Sequence, residues 1–181
     1  MLVGITATAQ TEHLTFKGVP IDGTLTSFVN KLKQKGLSHL ATQDGIALLE
    51  GDFAGYKECT IFVSQYESEI VNRVAVIFPK NDTWSGLYSN YSTIKNLLTQ
   101  KYGEPTDIIE EFQGYSNPSD DNERMFRVKF DQCKYICDFV TEKGGIELKI
   151  VHDDSLNCFI SLLYIDAANE SKVQSSAIED L

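Results

Sequence analysis

The sequence predicts an α+β fold: two tandem units, each a helix followed by antiparallel strands, three strands in the first and four in the second, forming one curved sheet with both helices on its inner face. Three observations carry that prediction. Residues 84–102 place Trp84, Leu87, Tyr88, Tyr91, Ile94, Leu98 and Tyr102 at three- and four-residue steps, which is one face of a helix. Strand-like runs, alternating or rich in β-branched residues, lie on both sides of it. The helix and strand runs before it recur, weakened, after it.

The central helix has its own punctuation. Asn81, Asp82 and Thr83 can cap the free N–H groups of its first turn, Gly103 stops it, and Pro105 cannot continue it. Before it, residues 13–16 alternate as a short strand closed by Gly18 and Pro20. Asp22 or Thr24 can cap a first helix with the face Leu25, Phe28, Val29 and Leu32, ending near Gly36. Residues 46–53, 57–65 and 70–78 then read as three strands of an antiparallel meander, closed by Pro79.

After the central helix, residues 108–112 suit a short strand or a helical turn, and the polar stretch 114–123 reads as a loop. Residues 124–130, 133–140, 146–152 and 158–165 are the four strands of the second unit, with Lys143-Gly144-Gly145 as the plainest hairpin signal. Residues 13–170 form a single domain, duplicated over about 13–79 and 82–166, and 171–181 read as a loose tail.

The duplication is legible at three places. Phe28, Asn30, Leu32, Gln34 and Lys35 recur at the same spacing as Ile94, Asn96, Leu98, Gln100 and Lys101. Phe53, Lys57, Phe62, Val63 and Ser64 meet Phe130, Lys134, Phe139, Val140 and Thr141. Val74, Val76, Ile77 and Phe78 meet Ile160, Leu162, Leu163 and Tyr164.

Composition narrows the function classes. A length of 181 residues suits one domain with a real core. The net charge of −10 repels phosphate backbones and anionic lipid, so neither nucleic acid nor a membrane surface is an expected partner. No run approaches the roughly 18 apolar residues of a membrane-spanning helix, so no membrane insertion is expected.

The N-terminus bears on location. Ala7 and Ala9 have the small-residue spacing that signal peptidase accepts, although the short apolar stretch before them lacks a basic region. Residues 1–10 therefore read as a signal-peptide remnant or a frayed terminus. With a remnant, the protein is periplasmic or secreted and cleaved after Ala9; without one, it is cytoplasmic.

Three motifs carry a resemblance: Phe16-Lys17-Gly18-Val19-Pro20-Ile21-Asp22-Gly23, Gly51-Asp52-Phe53-Ala54-Gly55-Tyr56 and Lys101-Tyr102-Gly103-Glu104-Pro105. They resemble segments of uncharacterised small exported proteins of gut bacteria. The tandem layout is similar to the fold of the β-lactamase inhibitor protein and of small outer-membrane assembly lipoproteins. The resemblance implies architecture and export, with no catalytic residues, and the cysteine of a lipoprotein signal is missing.

No chemistry-bearing constellation emerges, so catalytic, cofactor-binding and metal-ligating residues are all assigned as none. His13, His39 and His152 have no metal-ligand spacing to one another or to a cysteine. His152-Asp153-Asp154 reads as a solvated turn, and Asp120-Asp121-Asn122-Glu123 lacks the spacing and central glycine of a calcium loop. Gly51 and Gly55 suit a bend and a turn, and Tyr88, Tyr91 and Tyr102 suit a core face better than a binding strip.

Of the four cysteines, Cys133 and Cys137 lie on one strand, about 13 Å apart, where a disulfide needs about 7 Å. The strand at 146–152 separates both from Cys158 by two strand spacings, about 9–10 Å. Cys59 is the one remaining partner, and reduced, buried thiols are expected. The function expected is a non-catalytic exported module that binds a protein or cell-envelope component through a sheet face or a loop. The alternative is an enzyme whose site is assembled from sequence-distant residues.

Overall fold

The computed structural model describes residues 12–65, 69–114 and 116–179. The cleavage site read at Ala7 and Ala9 lies outside the described residues.

The elements follow local signals first. A small hairpin, β1 (Thr15–Phe16) with β2 (Val19–Pro20), precedes α1 (Leu25–Gln34), whose first turn is capped by Thr24 accepting from the Ser27 N–H. Leu25, Phe28, Val29 and Leu32 form its buried face. Four strands follow: β3 (Ser38–Gln43), β4 (Ile46–Phe53), β5 (Tyr56–Gln65) and β6 (Val71–Ile77). Then α2 (Trp84–Tyr102) starts on a Thr83 cap, buries Trp84, Leu87, Tyr91, Ile94 and Leu98, and ends at Gly103, whose φ of 89° suits a residue without Cβ. The chain continues through β7 (Asp107–Phe112), α3 (Asp121–Lys129), β8 (Cys133–Thr141), β9 (Gly144–His152), β10 (Cys158–Asp166) and α4 (Ala167–Glu179).

Eight of the strands make one fully antiparallel sheet in the order β3-β4-β5-β6-β10-β9-β8-β7. The first four occupy one half and the last four the other, and β6 meets β10 at the centre. Each half runs from its edge inward, so the chain starts each half at the rim and finishes it in the middle.

Three expectations are corrected. Residues 124–130 are not a strand; they lie in α3 and its C-terminal end. Phe126, Val128 and Phe130 mimic a two-residue period, but Met125 and Val128, three apart, are the buried pair, and Phe126 and Phe130 stack on each other outside. The decisive signal is a capping arrangement. Asp120 accepts from the Glu123 N–H, and Glu123 reaches back to the Ser119 N–H. The second correction is β3, a strand with every residue exposed and therefore no apolar pattern to read. With β3 gained and 124–130 lost, four strands follow each of α1 and α2, where three and then four were expected. The third is α4, which begins before the supposed tail at 171–181 and runs through it to Glu179. Asp166 accepts from the Asn169 N–H at its first turn, and Ala167, Ala168 and Glu170 favour helix.

The core lies between the sheet and the helices. On β10 the side chains of Cys158, Ile160, Leu162 and Tyr164 are buried, and the intervening ones are half-buried. Phe16, Phe53, Phe78, Tyr56 and Tyr164 interlock under the N-terminal hairpin, and Trp84, Tyr88, Tyr91, Phe112 and Tyr135 under α2. Leu98→Ala is expected to destabilise by about 2–5 kcal/mol in denaturant unfolding, since it removes a buried leucine from this layer. A loss below about 0.5 kcal/mol would place Leu98 outside the core.

Candidate functional site: the open face of the sheet

Period-two alternation assigns every strand residue to one of two faces. A cleft beside α2 is lined by Ile94 and Leu98 together with Leu162 and Tyr164, so α2 lies on the side of Leu162 and Tyr164. Following the register outward, that side carries Val76, Ile61 and Leu49 in one half and Leu148 and Cys137 in the other, all buried. The opposite face is the open one.

Two cross-strand rows define that open face. The first runs Ala41, Leu48, Phe62, Ala75, Leu163, Glu147, Asp138, Asp107, from one edge of the sheet to the other. The second runs Ser38, Glu50, Thr60, Ile77, Ser161, Lys149, Ile136, Ile109. Large apolar side chains stay in solvent along it. Ile46 is 45% exposed, Phe62 37%, Ile109 37% and Val140 68%. Gly145, paired with Val140 and Ile165, has open space where a Cβ would stand, and this leaves a notch on the face.

The charge is uneven. Toward β3 the first row is uncharged, whereas toward β7 it ends in three consecutive carboxylates. Glu147 pairs with Lys149 at 2.6 Å. Asp138 stands directly opposite Asp107 and, among the described residues, neither makes an ion pair. Burial, followed by the Glu147 carboxylate, holds the Asp138 carboxyl above the usual carboxylate range, and Asp107 adds to the same effect. Like charges in direct register are unfavourable in a sheet.

The residues singled out in the sequence are not gathered into a site. His39 Nε2 lies 2.8 Å from Thr42 Oγ1, and His152 Nε2 lies 3.2 Å from Asp131 on another side of the molecule. His13 stands with Asp166 and Asp22 beside the N-terminal hairpin. Asp153 organises its own turn, accepting from the N–H groups of Ser155 and Asn157. Asp120 and Glu123 serve the α3 cap. Tyr91 is buried and Tyr88 is partly exposed against Trp84, so the helix tyrosines form no continuous strip. Among the described residues, no group of three or more His, Cys, Asp or Glu is placed to hold a metal.

The cysteines are all free. Burial pushes the Cys59 and Cys137 thiols up to about 11 and that of Cys133 up to about 12, so they are protonated at neutral pH and poor nucleophiles. Thiol titration of the denatured, unreduced protein is expected to count four groups; a count of none would contradict the strand order.

Sequence reasoning missed a buried polar knot. Asp166, fully buried, accepts from the Leu14 and Asn169 N–H groups and lies 3.0 Å from His13 Nδ1. The Asn169 amide donates to the carbonyls of Ile21 and Val71 and to Asp22. Glu170 accepts from Asn72 and Arg73. These bonds fasten α4 to β6 and to the N-terminal segment. They are architectural, since their donors and acceptors answer one another. Only the Asp-x-x-Asn spacing at the start of α4 hints at the knot in the sequence.

The cleft between Ala54 and α2 has a volume of about 140 Å³, and two shallower hollows, at Arg127 and at Gly144 beside α4, measure about 420 and 410 Å³. A search for similar proteins found no matching family model, no matching curated protein and no matching solved structure.

Proposed function

We propose that the chain is a non-catalytic exported binding module, periplasmic or secreted, that receives a protein or cell-envelope component on the open face of its sheet. The observation that carries the reading is the row of Leu48, Phe62, Ala75 and Leu163. It crosses four adjacent strands on the face away from α2 and from α1, which packs on the side of His39 and Thr42, the partners of buried Leu49 and Ala47. A surface of this kind, apolar at the centre and charged toward one rim, is the composition of a protein-recognition patch. The spacing of Ala7 and Ala9 supports export.

The architecture is read as a tandem duplication similar to that of the β-lactamase inhibitor protein. What supports it is the order of the elements, with a long helix before each set of four strands, and the mirror arrangement of the halves about β6 and β10. The α1/α2 and β6/β10 correspondences read in the sequence support it, since each helix precedes, and each inner strand ends, its own set of four strands. The middle one does not, because it sets Phe62 of β5, on the open face, against Phe139 of β8, on the buried face.

Site-specific photo-crosslinking tests the function. A photoreactive phenylalanine in place of Phe62, expressed in the native host, is expected to give a discrete adduct. The same probe at Tyr88, exposed on the helical side, is expected to give none. Absence of an adduct at Phe62, or an adduct from Tyr88 alone, would overturn the reading.

A further inference from the structure

The two edges of the sheet are not equivalent. At one edge β3 is broken by a register shift between His39 and Ala41, and Leu40 sits in the irregularity. A bulge of this kind twists an edge and spoils it as a template for another strand. At the other edge β7 pairs with β8 over six residues, Asp107–Phe112 on Asp138–Cys133, with no shift. The Gln113 N–H donates to Gln132 O, continuing that register. By antiparallel alternation the backbone groups of Ile109 and Glu111 turn toward β8, and those of Ile108, Glu110 and Phe112 turn outward. β7 is thus regular from Asp107 to Phe112, with Thr106 just before it also bonding the Asp138 carbonyl; among the described residues no strand pairs with its outward row of donors and acceptors, and Ile108 and Ile109 are exposed on its two faces.

Charge selects what pairs with it. On the open face Asp107 faces Asp138, while Glu111 is opposite Lys134; on the helical face Glu110 pairs with Lys95. Asp107 and Asp138, at the end of the strand, thus face each other carboxylate to carboxylate, with Lys149, already paired to Glu147, as the cation acting on Asp138. A second copy of the chain would bring the same three β7 carboxylates, in a protein of net charge −10, against this edge. A cationic strand meets the opposite situation.

We propose that β7 is a docking strand: an extended basic segment of a partner protein adds to its free edge, with a lysine or arginine reaching the Asp107–Asp138 pair. This is strand addition, in which main-chain hydrogen bonds give affinity and alternate side chains give specificity. The inference rests on the binding-module reading but uses the rim of the sheet rather than its apolar centre.

Synthetic eight-residue peptides test it, added to the full-length protein labelled with ¹⁵N. A peptide alternating valine and lysine is expected to shift β7 resonances and to slow hydrogen exchange at the Ile108, Glu110 and Phe112 amides. A peptide alternating valine and glutamate is expected to do neither. Ile108→Pro, at an outward N–H that bonds nothing in β8, is expected to abolish the protection. Asp107→Lys, which leaves the ladder intact, is expected to weaken the valine–lysine peptide about tenfold, as one attractive cross-strand contact becomes repulsive. Equal binding of the two peptides would overturn the proposal, as would protection at β3 instead of β7 or dimerisation through β7 without peptide. Shifts confined to Phe62 and Leu163 would overturn it too, while leaving the open-face reading intact. If the Phe62 crosslink forms and no peptide protects β7, the edge carboxylates are only guards against self-pairing.

Discussion

Gly144→Ala is expected to destabilise the fold by at least about 4 kcal/mol, the range reserved for forced clashes and backbone strain. Gly144 has a φ of +145°, where side-chain-bearing residues are rare. A Cβ built there would stand 2.0 Å from the Ile165 carbonyl oxygen and 3.0 Å from the Ala167 nitrogen. Both are backbone atoms of the junction between β10 and α4, so relief requires moving the helix start, not a rotamer. The neighbour is the control. Gly145→Ala meets no heavy atom within 4 Å and is expected to change stability by under about 1 kcal/mol. Urea unfolding followed by the fluorescence of Trp84, the single tryptophan, separates the two. Similar losses for both would mean that the hairpin is not held where the structure places it.

Asp166→Ala is expected to cost about 3–5 kcal/mol. The substitution leaves two buried backbone donors, at Leu14 and Asn169, without their acceptor, and each orphaned group costs about 1–3 kcal/mol. It also frees the first turn of α4 and removes the His13–Asp166 contact. The exposed ion pair of the same knot gives the contrast. Arg73→Ala breaks the bond to Glu170 and is expected to cost under about 1 kcal/mol, because solvent-exposed pairs contribute little. A loss of under 1 kcal/mol for Asp166→Ala would show that water reaches both donors and that α4 is only loosely docked.

The elements readable in the sequence are those whose partners are implied by their own pattern. α1 and α2 carry apolar faces with caps at both ends, and β4, β5, β6, β8, β9 and β10 alternate or carry β-branched runs. The elements that were missed have nothing to bury. β3 is exposed throughout and is a strand because β4 offers it a ladder, not because of its side chains. α3 hid behind Phe126 and Phe130, which look like core residues and stand in solvent. α4 depends on Asp166 and Asn169, whose partners at Leu14, Ile21 and Val71 are far away in sequence. The open face was legible only as a possibility. Leu48, Phe62 and Leu163 alternate with buried neighbours as any strand residues do, and only the register, with α1 and α2 on one side, reveals them as a row.

The seam between β6 and β10 has a consequence for the growing chain. β6, Val71–Ile77, is among the most apolar strands, and its second neighbour is the last strand of the sheet. Roughly eighty residues separate Ile77 from Cys158, so at ribosomal speeds of about 5–20 residues per second this inner strand waits on the order of ten seconds for its partner. During that interval the first half is a four-stranded meander with a sticky free border. Its own bulged strand β3 protects the other border, but nothing yet shields β6. Nascent chains halted before Cys158 would therefore be the aggregation-prone species, and the closing step of folding is the zipping of a long-range seam that no local contact can hasten.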